Sequence, residues 1–257
     1  MNDKPDIGNL SIKLFADGAD LESITRLYAD PRIKGFTTNP TLMRKDGVED
    51  YEAFARNVLE VVTDRPISFE VFADELDEMA DQARAIASWA PNVNVKIPVT
   101  NTRGVFTGPI IEALSAEGIE LNVTAIFTRE QVRAVCDALA GSVPAIISVF
   151  AGRIADTGLD PMPLMRDCVE ILRSRPQAEL LWASPRELLN IFHADAVGCH
   201  IITATTDLLN KLGGVGKELE AFSLETVKMF YADAQASAYT IETAKQRAAH
   251  PQRMAHS

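Results

Sequence analysis

The amino-acid sequence predicts a fold of the α/β class, a single (β/α)8 barrel with one additional helix at its C-terminal side. Strand patterns alternate with helix patterns along the 257 residues and give eight strand–helix units. No Pro/Gly/Ser-rich linker separates these units, so residues 1–257 are predicted to form one domain. Polar residues also recur at the ends of successive predicted strands, where barrels carry their functional sites. An open, doubly wound sheet is the alternative that the same alternation allows.

Strands are predicted where apolar and polar residues alternate, and helices where apolar residues recur every three to four positions. A polar arm over residues 1–10 precedes the first strand. The first four strands are predicted at 11–17, 33–39, 67–72 and 92–99, and the helices that follow them at 21–28, 51–62, 76–90 and 110–116.

The second half of the chain repeats this pattern. Its strands are predicted at 120–127, 145–150, 179–184 and 199–205, and its helices at 129–140, 163–174, 186–194 and 207–212. A ninth helix at 223–245 carries Val227, Phe230 and Tyr231 on one face. Because such a face either covers the barrel or docks on a neighbouring subunit, we expect a homo-oligomer.

Composition excludes several classes of protein. A net charge of −11 argues against a nucleic-acid partner, which would require a basic surface. There is no basic segment followed by an apolar run and no apolar run long enough to cross a bilayer, so we expect a cytoplasmic protein without a membrane partner. Cys136, Cys168 and Cys199 lack CxxC spacing and are predicted to be buried thiols in a reducing compartment. The four histidines have no metal-ligand spacing, so no metal is expected.

The predicted strand at 92–99 carries the residue with the most distinctive chemistry. Its sequence, Asn-Val-Asn-Val-Lys-Ile-Pro-Val, alternates polar with apolar residues, so its polar face points into the lumen of a barrel and carries Lys96 there. Burial disfavours a charged ammonium group and favours the nucleophilic neutral amine. A neutral amine in a polar pocket is suited to Schiff-base formation with a carbonyl substrate. The pattern alone also allows a surface lysine whose stem packs along an edge strand.

Other polar residues occupy the ends of the predicted strands or the loops just after them. They are Asp17, Asn39, Glu70, Asn122, Thr124, Arg153, Ser184 and Arg186. Each alone is explained by a turn, a strand end, a helix cap or a surface charge, but packing does not require polar residues at all these positions. Two carboxylates near a lysine suit imine chemistry. Two arginines and a serine after strands six and seven suit a phosphate group.

Six segments carry a resemblance to a known family. They are Phe15-Ala-Asp17, Gly35-Phe-Thr-Thr-Asn-Pro-Thr41, Val93-Asn-Val-Lys-Ile-Pro98, Leu121-Asn-Val-Thr124, Phe150-Ala-Gly-Arg-Ile154 and Ala183-Ser184. On these segments the chain resembles the transaldolases, in the group that includes fructose-6-phosphate aldolase-like enzymes. The segments run in order from strand one to strand seven, so the resemblance covers nearly the whole chain.

The resemblance implies a class I, cofactor-free transferase of carbohydrate metabolism, acting as in the pentose phosphate pathway. Such an enzyme moves a dihydroxyacetone unit from a ketose phosphate, such as fructose 6-phosphate or sedoheptulose 7-phosphate, to an aldose phosphate. By resemblance, Lys96 forms the Schiff base and Asp17 takes the proton from the C4 hydroxyl group. Glu70, together with Thr124 and a water molecule, moves protons during carbinolamine dehydration.

The resemblance also implies how the substrate is held. Asn39 and Asn122 bind hydroxyl groups of the three-carbon unit, and the phosphate is bound by Arg153, Ser184 and Arg186. Phe150 and Glu70 favour transfer, since aldolases of the group tend to carry Tyr and Gln there. Pro185 departs from the more usual aromatic residue, which leaves the acceptor open. The alternatives are an aldolase that releases free dihydroxyacetone and a non-catalytic barrel that serves as a binding module.

Overall fold

The structure, a computed structural model, describes residues 5–141 and 143–245. Within them the strands are β1 (Lys13–Asp17), β2 (Ile33–Thr37), β3 (Ile67–Glu70), β4 (Val93–Pro98), β5 (Leu121–Ile126), β6 (Ala145–Val149), β7 (Ala178–Trp182) and β8 (Ile201–Thr205). The α-helices are α1 (Leu21–Tyr28), α2 (Pro40–Lys45), α3 (Tyr51–Val61), α4 (Leu76–Ala87), α5 (Gly108–Ala116), α6 (Arg129–Ala138), α7 (Ala151–Ala155), α8 (Pro161–Leu172), α9 (Leu189–Ala196), α10 (Thr206–Asn210) and α11 (Leu219–Ala236).

The eight strands form a closed parallel barrel in sequence order. Each strand pairs with the next, and β1 pairs with β8 to close the ring. This confirms the predicted (β/α)8 barrel and excludes the open, doubly wound sheet. Parallel strands joined by helical connections place all their carboxyl ends on one face of the barrel, which is where the sequence predicts the polar site.

Two short helices, α2 and α7, are absent from the sequence prediction. Each begins almost directly after a strand, where alternation extended the predicted strand by one or two residues. The predicted strand at 33–39 ends at Thr37 because the Asn39 side chain accepts a hydrogen bond from the Leu42 N–H and begins α2. An asparagine at the end of an alternating run fits either a strand or a helix cap. The alternation of apolar and polar residues alone therefore does not show where the strand ends.

The lumen of the barrel is filled below the carboxyl face by apolar side chains. Phe15, Ile146, Leu181 and Ile201 form a cluster that is separate from the main core between strands and helices. The Phe15 ring lies so close to Gly35 that a Cβ atom on this glycine would lie 2.4 Å from the ring. The packed ring fills the lumen at this level, and Gly35 is required there for its small size.

The three cysteines are buried, as the sequence predicts. Burial raises the pKa of the Cys136 thiol to about 11 and those of Cys168 and Cys199 to about 12. A thiol with such a pKa carries almost no thiolate near neutral pH, so these side chains act as small apolar groups.

The chain divides into two compact units. Asp6–Gly213 contains all eight strands and the site described below, and α11 belongs to the other unit. The helix predicted at 223–245 spans Leu219–Ala236, and none of its residues is buried. Residues 1–4 of the predicted arm lie outside the described part of the chain, and the single-domain assignment stays a prediction. None of the described helices is both long and apolar enough to cross a bilayer.

Candidate active site

A cavity of about 350 Å³ opens at the carboxyl face of the barrel. Every predicted site residue except Arg186 lines it, and these are Asp17, Asn39, Glu70, Lys96, Asn122, Thr124, Phe150, Arg153 and Ser184. For the residues on strands, alternation explains this convergence, because residues two apart on a strand share one face and the lumen faces of all eight strands meet here. Asn39, Phe150, Arg153 and Ser184 lie just after the ends of β2, β6 and β7. The structure adds hydroxyl groups that sequence reasoning missed. Thr37, Ser148 and Thr203 are lumen-facing by the same alternation, which was the available signal.

Lys96 lies on β4 and is only 7% exposed. Its amine is 3.1 Å from Glu70 Oε2 and donates a hydrogen bond of 3.0 Å to the Thr38 carbonyl oxygen. The parallel register places Glu70 beside Lys96 on β3 and Asn122 beside it on β5. The lysine is therefore held in the lumen with one carboxylate within proton-transfer distance, and the edge-strand interpretation does not apply.

Asp17 is the last residue of β1 and faces the same cavity. The Thr37 hydroxyl donates to its Oδ1 at 2.8 Å, and the Asn39 amide donates to its Oδ2 at 3.2 Å. Burial raises the pKa of Asp17, and this effect outweighs the opposing influence of the Lys96 charge and of the two hydrogen bonds. A carboxylate with a raised pKa and a fixed orientation is suited to accept a proton from a substrate hydroxyl group.

The Asn39 side chain is oriented by its position at the start of α2. Its Oδ1 accepts a hydrogen bond of 3.0 Å from the Leu42 N–H, which directs its amide Nδ2 towards Asp17. The helix cap and the hydrogen bond to the carboxylate thus use opposite ends of one amide group.

The hydroxyl of Thr124 is a buried polar atom without a partner among the described residues. The next residue, Ala125, has a positive φ of 60°, and the pairing of β5 with β6 shifts between Val123 and Ile126. A bulge of this kind changes where the neighbouring side chains point. Since a buried hydroxyl rarely lacks a hydrogen-bond partner, this position beside the cavity suits a water or substrate oxygen.

Asn122, on β5, is fixed from two sides by hydroxyl groups of β3 and β6. Its amide Nδ2 donates to Ser68 Oγ at 2.9 Å, and its Oδ1 accepts from Ser148 Oγ at 2.7 Å. These three side chains form a chain of hydrogen bonds across the lumen beside Lys96, so the amide is held rigidly.

Arg153 and Ser184 lie together at the end of the cavity formed after β6 and β7. The Arg153 guanidinium lies 5.2 Å from the centre of the Phe150 ring. Gly152 brings the two elements together, because a Cβ atom there would lie 1.5 Å from the Ser184 carbonyl oxygen. Ser184 itself has a left-handed φ of 57°. A guanidinium and a hydroxyl group that line the same end of one cavity can bind one anion.

Arg186 is not among the residues that line the cavity. Its Nε atom lies 3.0 Å and 3.1 Å from the two carboxylate oxygens of Asp156, and its backbone N–H donates to Asn190 Oδ1 at 2.7 Å. The ion pair is exposed, and it lowers the pKa of Asp156. The structure therefore places one guanidinium in the cavity and pairs the second with a carboxylate.

A buried lysine flanked by two carboxylates, on the carboxyl face of a (β/α)8 barrel, defines a barrel enzyme equipped for imine chemistry with a carbonyl substrate. Comparison with known proteins agrees with this class. A family model described as Transaldolase/Fructose-6-phosphate aldolase matches residues 14–256, and the chain belongs to this family. The resemblance drawn from the six sequence segments is confirmed.

Relatives of similar length support the same assignment. A protein of Dehalococcoides mccartyi named probable transaldolase is 37% identical over 202 residues, which are 78% of this chain and 90% of the relative. One of Listeria monocytogenes named probable transaldolase 2 is 37% identical over 223 residues, 82% of this chain and 98% of the relative. A probable transaldolase of Streptococcus agalactiae is 39% identical over 193 residues, 75% of this chain and 85% of the relative.

Proposed function

We propose that the protein is a transaldolase that moves a dihydroxyacetone unit from a ketose phosphate to an aldose phosphate through a Schiff base on Lys96. The observation that carries this proposal is the buried Lys96 amine, 3.1 Å from Glu70 in a cavity that also holds Asp17. The family match and the names of the relatives support the same reaction. The lysine supplies the electron-withdrawing iminium itself, so the proposed reaction requires no cofactor.

The first half of the proposed reaction forms the imine. The Lys96 amine attacks the C2 carbonyl of the ketose phosphate and gives a carbinolamine, which loses water to become an iminium ion. Glu70 is close enough to Lys96 to move the required protons, and the unpartnered Thr124 hydroxyl positions the water that carries them.

The second half breaks and remakes a carbon–carbon bond. Asp17 accepts the proton of the C4 hydroxyl group, the C3–C4 bond breaks, and its electron pair moves into the iminium to give an enamine. The aldose phosphate leaves, an acceptor aldehyde enters, and the same steps run in reverse. Asn39 and Asn122 are proposed to hold the hydroxyl groups of the three-carbon unit meanwhile, since both amides are fixed beside the cavity.

Transfer rather than release requires that the enamine is not protonated before the acceptor arrives. Phe150 lines the cavity with an apolar ring that packs against Phe127 at 5.7 Å between ring centres, so it offers no proton. A screen of ketose phosphate donors with and without aldehyde acceptors tests the proposal. We expect exchange with an acceptor and little free dihydroxyacetone without one, whereas fast acceptor-independent release supports the aldolase alternative.

Phe150→Tyr is expected to raise the release of dihydroxyacetone relative to transfer by about tenfold, because a hydroxyl group then lies within reach of the enamine. The measurement is dihydroxyacetone formed from fructose 6-phosphate with and without glyceraldehyde 3-phosphate. Phe127→Tyr is the matched control, since Phe127 packs against Phe150 but does not line the cavity. An unchanged ratio in Phe150→Tyr contradicts the proposed role of the apolar ring.

The anion of the substrate is proposed to bind Arg153 and Ser184, with Arg186 joining when it exchanges Asp156 for the substrate. Arg153→Ala is expected to lower kcat/KM for phosphorylated substrates about ten- to a hundred-fold, since a charge-assisted hydrogen bond contributes about 1.5–3 kcal/mol. Arg186→Ala is expected to lower kcat/KM for phosphorylated substrates by about tenfold or less. Arg186 must first give up its ion pair with Asp156, so its net contribution to anion binding is smaller.

The control for both arginine variants is an unphosphorylated substrate, such as fructose, whose kcat/KM is expected to change little. Equal losses with phosphorylated and unphosphorylated substrates would show that the arginines act on the fold and not on the anion. The assembly into a homo-oligomer, the cytoplasmic location and a role in the pentose phosphate pathway are proposed on the sequence and on family membership.

A further inference from the structure

The backbone of Glu70 lies at a gap in the barrel. β2 and β3 pair at Phe36 with Ile67 and at Thr37 with Ser68, and beyond this the chain of β2 turns into α2. On its other side Glu70 is paired with β4. The N–H and C=O groups of one residue in a parallel strand point to the same side, so those of Glu70 face the gap. In the described part of the chain, no strand lies there to bind them.

The hydroxyl group of Tyr51, the first residue of α3, fills this gap. It accepts a hydrogen bond of 2.7 Å from the Glu70 N–H and donates one of 3.0 Å to the Glu70 carbonyl oxygen. One phenol thus satisfies both backbone groups that the missing strand would have paired. Burial raises the pKa of Tyr51, so the phenol keeps the proton that it donates.

The Tyr51 ring is held in place by other aromatic rings. Its centre lies 4.5 Å from that of Phe72, 5.7 Å from that of Trp89 and 6.2 Å from that of Phe69. Tilted and edge-to-face contacts of this kind fix the orientation of a ring as well as its position. The hydroxyl group is therefore presented to Glu70 by a packed support outside the cavity.

We propose that Tyr51 is a positioning residue for the reaction, which sets the distance between the Glu70 carboxylate and the Lys96 amine by fixing the Glu70 backbone. The inference rests on the proposed function of Glu70 in moving protons during imine formation. Glu70 is the last residue of β3, so without Tyr51 its pairing with β4 is the one strand contact that the described residues give its main chain. Displacement of Glu70 changes the 3.1 Å contact between its carboxylate and the Lys96 amine, and it leaves the anion end of the cavity unchanged.

Tyr51→Phe removes the hydroxyl group and keeps the ring. We expect kcat for transfer to fall about tenfold to a hundredfold, since displacement of a catalytic group by about 1 Å has effects of this size. KM for the donor is expected to stay within about twofold, because the anion site is untouched. Tyr28→Phe is the matched control: its hydroxyl donates to Asp64 at 2.7 Å outside the site, and kcat is expected to be unchanged.

A double-mutant cycle with Glu70→Gln separates positioning from a general structural role. If Tyr51 acts through Glu70, then Tyr51→Phe lowers kcat in the wild-type background but not in the Glu70→Gln background. A further loss of the same size in Glu70→Gln, or an unchanged kcat in Tyr51→Phe alone, overturns the proposal. If Glu70→Gln itself leaves kcat unchanged, it is instead the proposed function of Glu70 that fails, and the assigned role of Tyr51 with it.

A second variant keeps the test decisive if Tyr51→Phe does not fold. Phe72→Leu keeps the Tyr51 hydroxyl group but removes a ring that supports it, and Phe72 is 52% exposed, so the barrel tolerates the change. We expect a loss of about threefold to tenfold in kcat that also disappears in the Glu70→Gln background. A loss that persists in that background, or no loss at all, overturns the proposal.

Discussion

Lys96→Met is expected to lower kcat/KM for transfer by about 10⁴-fold or more while the barrel remains folded, because the covalent route through the amine is lost. Methionine nearly matches the volume of the lysine and suits a position that is almost fully buried. Circular dichroism is expected to show an unchanged helix and strand content. Activity that survives at a tenth of the wild-type value or more would contradict a Schiff base at this residue.

Borohydride trapping tests the same prediction directly. Wild-type enzyme incubated with fructose 6-phosphate and borohydride is expected to gain a three-carbon unit on the peptide that contains Lys96, and Lys96→Met is expected to gain none. Lys13→Met is the matched control, because Lys13 is an exposed β1 lysine that pairs with Glu179. Its trapping is expected to equal that of wild type. A label on another lysine, or none with any ketose phosphate, would refute the assignment.

Asp17→Asn is expected to lower kcat for carbon–carbon cleavage by about 10²- to 10⁴-fold, the usual contribution of a positioned general base. An amide can keep a hydrogen bond from Thr37 or Asn39 but cannot accept the proton of the C4 hydroxyl group. Schiff-base formation does not require this step, so borohydride trapping with fructose 6-phosphate is expected to persist. The variant therefore separates imine formation on Lys96 from the bond cleavage that follows it.

The pH dependence gives an independent check on Asp17. Burial raises its pKa, so the carboxylate becomes protonated at a higher pH than an ordinary aspartate would. Activity of the wild type is expected to fall as the pH drops through this raised value, because the protonated carboxyl group cannot act as a base. Asp81→Asn, which alters an exposed carboxylate on α4, is expected to keep the full pH profile of the wild type.

The trapping experiment has its own contrary outcome. Loss of borohydride trapping on Lys96 in Asp17→Asn would show that Asp17 acts before the carbon–carbon bond breaks.

Much of the site was predictable because the side chains of a strand alternate between its two faces, and this alternation can be read from neighbouring residues in the sequence. Alternation on β4 places Lys96 in the lumen, and the same rule places Asn122 and Thr124 on one face of β5. Once eight such strands close into a barrel, these faces meet at one end without any further information from the sequence. The fold class and the cavity residues on the strands themselves, such as Asp17 and Glu70, follow from this rule, whereas Arg153 and Ser184 lie in the segments after β6 and β7.

The remaining features depend on contacts between distant parts of the chain. Arg186 follows β7 as an anion-binding arginine would, yet it pairs with Asp156, thirty positions away, and lies outside the cavity lining. Tyr51 begins a helix, and nothing in its neighbourhood in the sequence indicates that its hydroxyl group completes the hydrogen bonds of Glu70.

By itself the sequence determined the barrel and the lumen face of each strand, because the alternation of apolar and polar residues depends on neighbours along the chain. It also singled out Lys96 as the lysine that we propose forms the Schiff base. Only the tertiary structure decided which charges pair and which backbone groups need a side-chain partner. It also decided how closely α7 approaches Ser184 across Gly152. These properties depend on distances through space, because hydrogen bonds and ion pairs act over a few ångströms. The separation of two residues along the sequence does not give that distance.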